Sequence, residues 1–138
     1  MAVLDRFRLD GRTAMITGGS RGLGEAMALA LAEAGANLIL VGREAADLET
    51  TKERLVTATG RTIWAIPSDV STPDGAAAAC DQALTLGPVV DILVNNVGGR
   101  RLDVSLEAVS IDDWKRLIDL NLTSALVCCQ KFFPGMRN

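Results

Sequence analysis

The sequence predicts an α/β fold: a doubly wound parallel sheet with helices on both faces. Three observations carry this. Short apolar segments alternate with helical stretches along the chain. The apolar segments show no in-and-out alternation, so both faces of each strand must be covered. A glycine-rich turn separates the first strand from the first helix. Right-handed crossovers and a switch of direction after the third strand give the order 3-2-1-4, a little over half of a complete doubly wound sheet.

The elements follow in order. Residues 1–12 are a lead-in closed by the turn Asp10-Gly11. Residues 13–16 are the first buried strand. Residues 25–34, rich in alanine and leucine, form the first helix, closed by Gly35. Residues 37–41 are the second strand, which stops at Gly42-Arg43. Residues 44–59 form a helix with Leu48, Leu55 and Ala58 inward and Gly60 as its stop. Residues 61–66 are the third strand, ended by Pro67. Thr72 and Pro73 supply an N-cap and a first-turn proline for a helix running to Leu86, before Gly87-Pro88. Residues 89–94 are the fourth strand, and 95–99 a turn. Residues 100–109 read as a loop or short helix. Ser110 to Asp113 resembles a capping box, opening a long helix to about Phe133 that Pro134-Gly135 ends. One row of that helix is Trp114, Ile118, Asn121, Ala125, Cys128 and Phe132. Because 117–129 is apolar nearly all round, a sheet and a second surface must cover it.

Composition narrows the function. With 138 residues, one domain is expected, and 49% hydrophobic against 22% charged residues suits a packed core. A net charge of −3 without blocks of like charge disfavours nucleic acid and anionic membranes. No apolar run reaches membrane-spanning length and residues 1–6 lack a signal-peptide pattern, so a cytoplasmic location is expected. Cys80, Cys128 and Cys129 have no metal-type spacing and read as small core hydrophobes in a reducing compartment. The chain has no His and no Tyr. Histidine can therefore be neither ligand nor base here, and no phenol is present for acid–base work.

The stretch Thr17-Gly18-Gly19-Ser20-Arg21-Gly22-Leu23-Gly24 carries the chemistry. Strand, glycine turn and helix together are the Rossmann-type arrangement that binds a dinucleotide, with backbone N–H groups facing the pyrophosphate. Gly18 permits the tight turn, Gly22 admits phosphate to the backbone, and Gly24 lets the helix sit close to the sheet. Gly18, Ser20, Arg21, Gly22, Leu23 and Gly24 are the candidate cofactor contacts. The second strand ends at Gly42, where NAD-preferring folds place an acid that holds the ribose 2′-hydroxyl. No carboxylate there repels a 2′-phosphate, and Arg21 and Arg43 can pair with one. NADP is therefore expected over NAD, with NAD possible.

The spacing Thr-Gly-x3-Gly-x-Gly resembles the short-chain dehydrogenase/reductase family, and the resemblance extends over essentially the whole chain. Asp69-Val70, after the third strand, is similar to the family's adenine-contacting pair. Asn95-Asn96-Val97-Gly98 resembles its Asn-Asn-Ala-Gly turn, which shapes the end of the fourth strand beside the cofactor ribose. Asn121 resembles the catalytic asparagine that bends the middle helix and holds a water in the proton relay. In an apolar row, its amide also needs its hydrogen bonds met. The resemblance implies an alcohol or carbonyl substrate of small size, and a homodimer or homotetramer assembled through helix 111–133.

One departure matters. The family's acid–base chemistry uses a Ser and a Tyr-x3-Lys beyond the long helix. Lys52, Lys115 and Lys131 stand in no such context, and Ser105 and Ser110 lie too early. The expectation is that 1–138 is a single NAD(P)-binding domain, incomplete on its C-terminal side, inactive alone, and the cofactor half of an oxidoreductase. The alternative is a non-enzymatic nucleotide-binding or dimerisation module.

Overall fold

The computed structural model describes residues 2–99 and 103–137. Its centre is a parallel sheet of β1 (Thr13–Thr17), β2 (Asn37–Gly42), β3 (Ile63–Pro67) and β4 (Ile92–Val94) in the order β3-β2-β1-β4. Met15 stands opposite Ile39 and Leu93, and Ile39 opposite Trp64. The strands are apolar on both sides because both are packed. Ala14, Ile16, Leu38 and Leu40 point to one core. There they meet α1 (Gly22–Glu33) and α2 (Ala45–Thr59). Met15, Ile39, Val41 and Ile66 point to the other core, against α3 (Pro73–Thr85) and α5 (Ser124–Met136). Each fully buried Leu or Ile side chain contributes about 1.5–3 kcal/mol of hydrophobic stabilisation.

Several boundaries differ from the sequence reading, each for a local reason. The first helix already begins at Gly22, so the end of the glycine turn is also its first turn. In α2 the buried positions are Leu48, Thr51 and Leu55, whereas Ala58 is exposed. The third strand starts at Ile63 and takes in Pro67, whose Cα pairs with Gly42. The fourth spans only 92–94, because its partner β1 begins at Thr13 after the Asp10-Gly11 turn. Residues 89–90 thus have no strand opposite them. A short 3₁₀ helix, Val3–Phe7, occupies the lead-in. In the stretch 100–109, Leu106–Ala108 form a 3₁₀ turn, and 100–102 lie outside the described residues.

The long helix is three segments: α4 (Ile111–Ile118), a π turn (Asp119–Thr123) and α5. Ser110 caps it by accepting from the Asp113 N–H at 3.0 Å. The π turn inserts a residue and shifts the phase of everything before it. Leu120, Ser124, Cys128 and Phe132 make the buried row, whereas Trp114 and Asn121 are exposed. Pro134 does not end α5, since it removes one donor near the last turn and the Arg137 N–H still reaches the Phe133 carbonyl at 3.1 Å. Cys80 and Cys128 are buried in one core, but Cys129 is exposed, contrary to its reading as a core residue. Hydrogen bonding with Cys128 and burial push the Cys80 thiol up, while the same bond holds Cys128 down. Among the described residues no helix is long and apolar enough to cross a membrane.

Candidate functional site

A cleft opens at the C-terminal ends of the strands, where the sheet changes direction and doubly wound folds take their ligands. Its empty space is about 510 Å³, open solvent at its mouth included. Gly18, Ser20 and Arg21 line it after β1, Gly42 and Arg43 at the end of β2, Ser68, Asp69 and Val70 after β3, and Val97 after β4. The sequence reading had placed most of these together. Gly22, Leu23, Gly24, Asn95 and Gly98 are not on its wall. Leu23 projects into solvent, 78% exposed. Asn95 borders a separate small void with Thr17, Ser124 and Cys128, and its Nδ2 donates to Cys129 Sγ at 3.5 Å.

The backbone of the glycine turn is fixed from both sides. Gly18 has φ +67° and Gly22 φ +56°. At Gly22 an added Cβ would meet nothing within 4 Å, so the backbone stands open there. Gly24 is the opposite case. A Cβ there would lie 2.0 Å from the Gly18 carbonyl oxygen and 2.7 Å from Asn96 Nδ2. Its small size serves the turn's own backbone as much as the approach of helix to sheet. Asn96 Nδ2 donates to the Thr17 and Gly18 carbonyls at 3.1 and 3.2 Å. Thr17 Oγ1 accepts from the Asn96 and Val97 N–H groups at 3.0 and 3.2 Å. These four bonds tie the ends of β1 and β4 together, each worth about 1 kcal/mol net.

The helix ends distinguish this cleft. Thr72 caps α3 and Ser110 caps α4 with side-chain oxygens. Arg21 and Glu44, the residues before α1 and α2, make no such bond. The first N–H groups of both helices are thus left without side-chain caps, and they carry the positive ends of the helix dipoles. Arg8, Arg12, Arg54, Arg61 and Arg116 are engaged in ion pairs. Arg21 and Arg43 form none among the described residues, and both are exposed. The wall is not free of acid, however: Glu44 and Asp47 share it. The expectation of a cleft without carboxylates, drawn from position 42, does not hold. Both acids are visible in the sequence at the start of a helix.

Asp69 holds its own turn, Oδ1 accepting the Ser71 N–H at 3.0 Å. Asn121 lies at the centre of the π turn and is exposed, not part of the apolar row. Its amide is met nonetheless: Nδ2 donates to the Leu117 and Gly99 carbonyls at 2.9 and 3.1 Å, and Oδ1 accepts from the Gly99 N–H at 2.8 Å. A Cβ on Gly98 would sit 2.9 Å from that Oδ1. The turn after β4 and the middle helix are therefore joined through one side chain.

The geometry has counterparts. The short chain dehydrogenase family model matches residues 12–138. A rhamnolipids biosynthesis 3-oxoacyl-[acyl-carrier-protein] reductase of Pseudomonas aeruginosa is 39% identical over 131 residues, 95% of this chain and 50% of that protein. The 2-dehydro-3-deoxy-D-gluconate 5-dehydrogenase of Escherichia coli is 38% identical over 93% of this chain and 49% of its own length. The crystal structure of L-sorbose reductase from Gluconobacter frateurii, complexed with NADPH and L-sorbose, superposes with a TM-score of 0.88 at 30% identity, covering 95% of this chain and 49% of that one. The chain spans about half the length of the curated relatives it matches.

Proposed function

The chain belongs to the short-chain dehydrogenase family, and from that premise we propose that it is the dinucleotide-binding domain of an NADP(H)-dependent oxidoreductase. The reaction is hydride exchange between the nicotinamide and a small ketone or aldehyde, or the corresponding alcohol. The observation that carries the reading is the cleft lined by Arg21 and Glu44, the cap residues of two helices without side-chain caps, and by Arg43, with neither arginine in an ion pair among the described residues. A dinucleotide fits such a wall. The open backbone at Gly22 and the start of α1 would take the pyrophosphate, and Arg21, Arg43 and the start of α2 would take a 2′-phosphate. Ser20, Gly18, Leu23 and Gly24 complete the turn, Asp69 and Val70 would border the adenine, and Asn95, Val97 and Gly98 the ribose nearer the nicotinamide. NADPH in the L-sorbose reductase supports the choice of cofactor. Glu44 and Asp47 moderate it, because their charges oppose a phosphate. Titration of both dinucleotides tests the reading. NADPH should bind more tightly than NADH, and Arg43→Asp should reverse the order; equal affinities refute it.

Asn121 is proposed to orient a water in proton transfer, and its place in a π turn, a feature frequent at functional sites, supports that role. It cannot itself be the acid. Residues 1–138 contain neither Tyr nor His, so these residues alone should not turn over substrate. An NADPH absorbance assay with ketones and aldehydes checks this, and turnover by a species of 14.6 kDa would contradict it. Assembly as a dimer or tetramer through helix 111–133 is proposed on its exposed Trp114, Leu122, Leu126 and Phe133. A monomer in light scattering at micromolar concentration would refute that.

A further inference from the structure

The second helix contains four threonines, and one of them behaves differently from the rest. Thr50, Thr57 and Thr59 turn their hydroxyls back onto carbonyls of their own helix, four residues earlier, at 2.9, 2.9 and 2.7 Å. That is the ordinary resting place of a helical threonine hydroxyl. Thr51 does not use it. Its Oγ1 donates at 2.9 Å to the carbonyl of Ser20, in the middle of the glycine turn. Thr51 is 4% exposed, whereas Ser20 and Arg21 line the cleft. The bond therefore runs from the buried side of α2 to the half-buried carbonyl of the cofactor turn.

We propose that Thr51 is a positioning residue for the Ser20–Arg21 peptide, and through it for recognition of the cofactor's 2′-phosphate. The inference rests on the dinucleotide reading of the cleft. The Ser20 carbonyl and the Arg21 N–H belong to one planar peptide unit, so fixing the carbonyl fixes the direction of the N–H. Arg21 is the residue before α1, in extended conformation with φ −162° and ψ 166°. Its own side chain does not cap α1. The Thr51 bond holds the peptide on its N-terminal side and leaves the first N–H groups of α1 uncapped. It also links the turn to the helix whose N-terminus, with Arg43, forms the far wall of the same cleft. Both guanidiniums are thereby referred to one rigid element, α2. A hydroxyl is needed at position 51, and a methyl in its place leaves the Ser20 carbonyl without this donor.

The test uses isosteric and single-hydroxyl changes, with dinucleotide titration by calorimetry on the purified protein. Thr51→Val keeps the shape and removes the hydroxyl. It should weaken NADPH about five- to tenfold, the equivalent of one net hydrogen bond, and NADH by less than about twofold. Thr51→Ser should restore NADPH binding to within about twofold of the original. Thr51→Ala and Thr51→Ser differ only by the hydroxyl, so that pair decides the matter if Thr51→Val does not fold. An equal loss of NADPH and NADH affinity in the variants lacking the hydroxyl means a general structural role and overturns the proposal. So does unchanged NADPH affinity in Thr51→Val, or in Thr51→Ala relative to Thr51→Ser. Failure of the unsubstituted protein to bind NADPH overturns the cofactor reading and this inference with it. Normal binding there with no effect at position 51 overturns this inference alone.

Discussion

Replacing Gly24 with alanine should damage this domain more than its small size suggests. The added Cβ would stand 2.0 Å from the Gly18 carbonyl oxygen, and real Cβ contacts essentially never fall under 3.0 Å. The carbonyl must retreat by about 1 Å, and with it a turn fixed at φ +67°. Overpacking of this kind costs about 1–3 kcal/mol. The displacement also breaks the Asn96 to Gly18 bond, at 3.2 Å, for about 1 kcal/mol more. Against this, alanine gains about 1 kcal/mol of helix propensity over glycine. The balance is a loss of about 2 kcal/mol, or a fall of roughly 5–10 °C in melting temperature. Gly22→Ala is the control. It meets no atom within 4 Å, so only its left-handed backbone is strained, at about 1 kcal/mol. Urea unfolding of the two variants beside the original protein measures the difference. Gly24→Ala at the original stability, or less damaging than Gly22→Ala, would refute the argument.

Four further outcomes are expected. Asn121→Ala removes the side-chain link between the π turn and Gly99 and should lower stability by about 1–2 kcal/mol, read by urea unfolding; Asn121→Asp, which keeps only the acceptor for the Gly99 N–H, should fall between. Asp91 governs part of the acid limb of stability. Burial raises its carboxyl, but the Thr13 N–H and the Arg12 guanidinium outweigh that and hold it below the ordinary carboxylate value. Its contribution is present above the unfolded pKa, near 4, and is lost as pH falls through the lower folded value, so Asp91→Asn should flatten that limb in melting curves recorded from about pH 5 downward. Toward a thiol reagent under native conditions, Cys129 should react first and Cys80 and Cys128 only on unfolding, as counted by absorbance and mass. Asn96→Ala should uncouple β4 from β1 and lower stability by about 1–3 kcal/mol, again by urea unfolding.

The architecture was legible because the strands have no polar face to misread. Apolar runs at 13–16 and 37–41 could only be buried on both sides, and the crossover rule then left one strand order. The glycine turn was legible through its spacing. What the sequence concealed were consequences of single contacts. The row through Trp114 and Asn121 assumed an unbroken 3.6-residue period, and the π turn at Asp119–Thr123 shifted it by one position. Periodicity alone does not announce that turn; only the family resemblance points to a bend at Asn121, whose side chain bonds the Leu117 carbonyl and Gly99. The same regularity puts Ala58 inward, while the polar Thr51 is buried beside Leu48 and Leu55. Asn96 lay inside the motif yet went unassigned, since its partners, the Thr17 and Gly18 carbonyls, are 79 and 78 residues away in sequence. Glu44 and Asp47 reach the cleft from the helix after β2, so the residue at the strand end does not reveal its charge.

The central claim is that NADP(H) occupies the cleft between the glycine turn and the start of α2. Amide NMR spectra of the 14.6 kDa chain during NADPH titration test it most directly. The account predicts saturable shifts clustered at Gly18, Ser20, Arg21, Gly42, Arg43, Asp69 and Val97, with NADH moving the same turn more weakly and leaving Arg43 nearly still. Shifts confined to the opposite end of the sheet, or none from a folded protein at about millimolar NADPH, would contradict it.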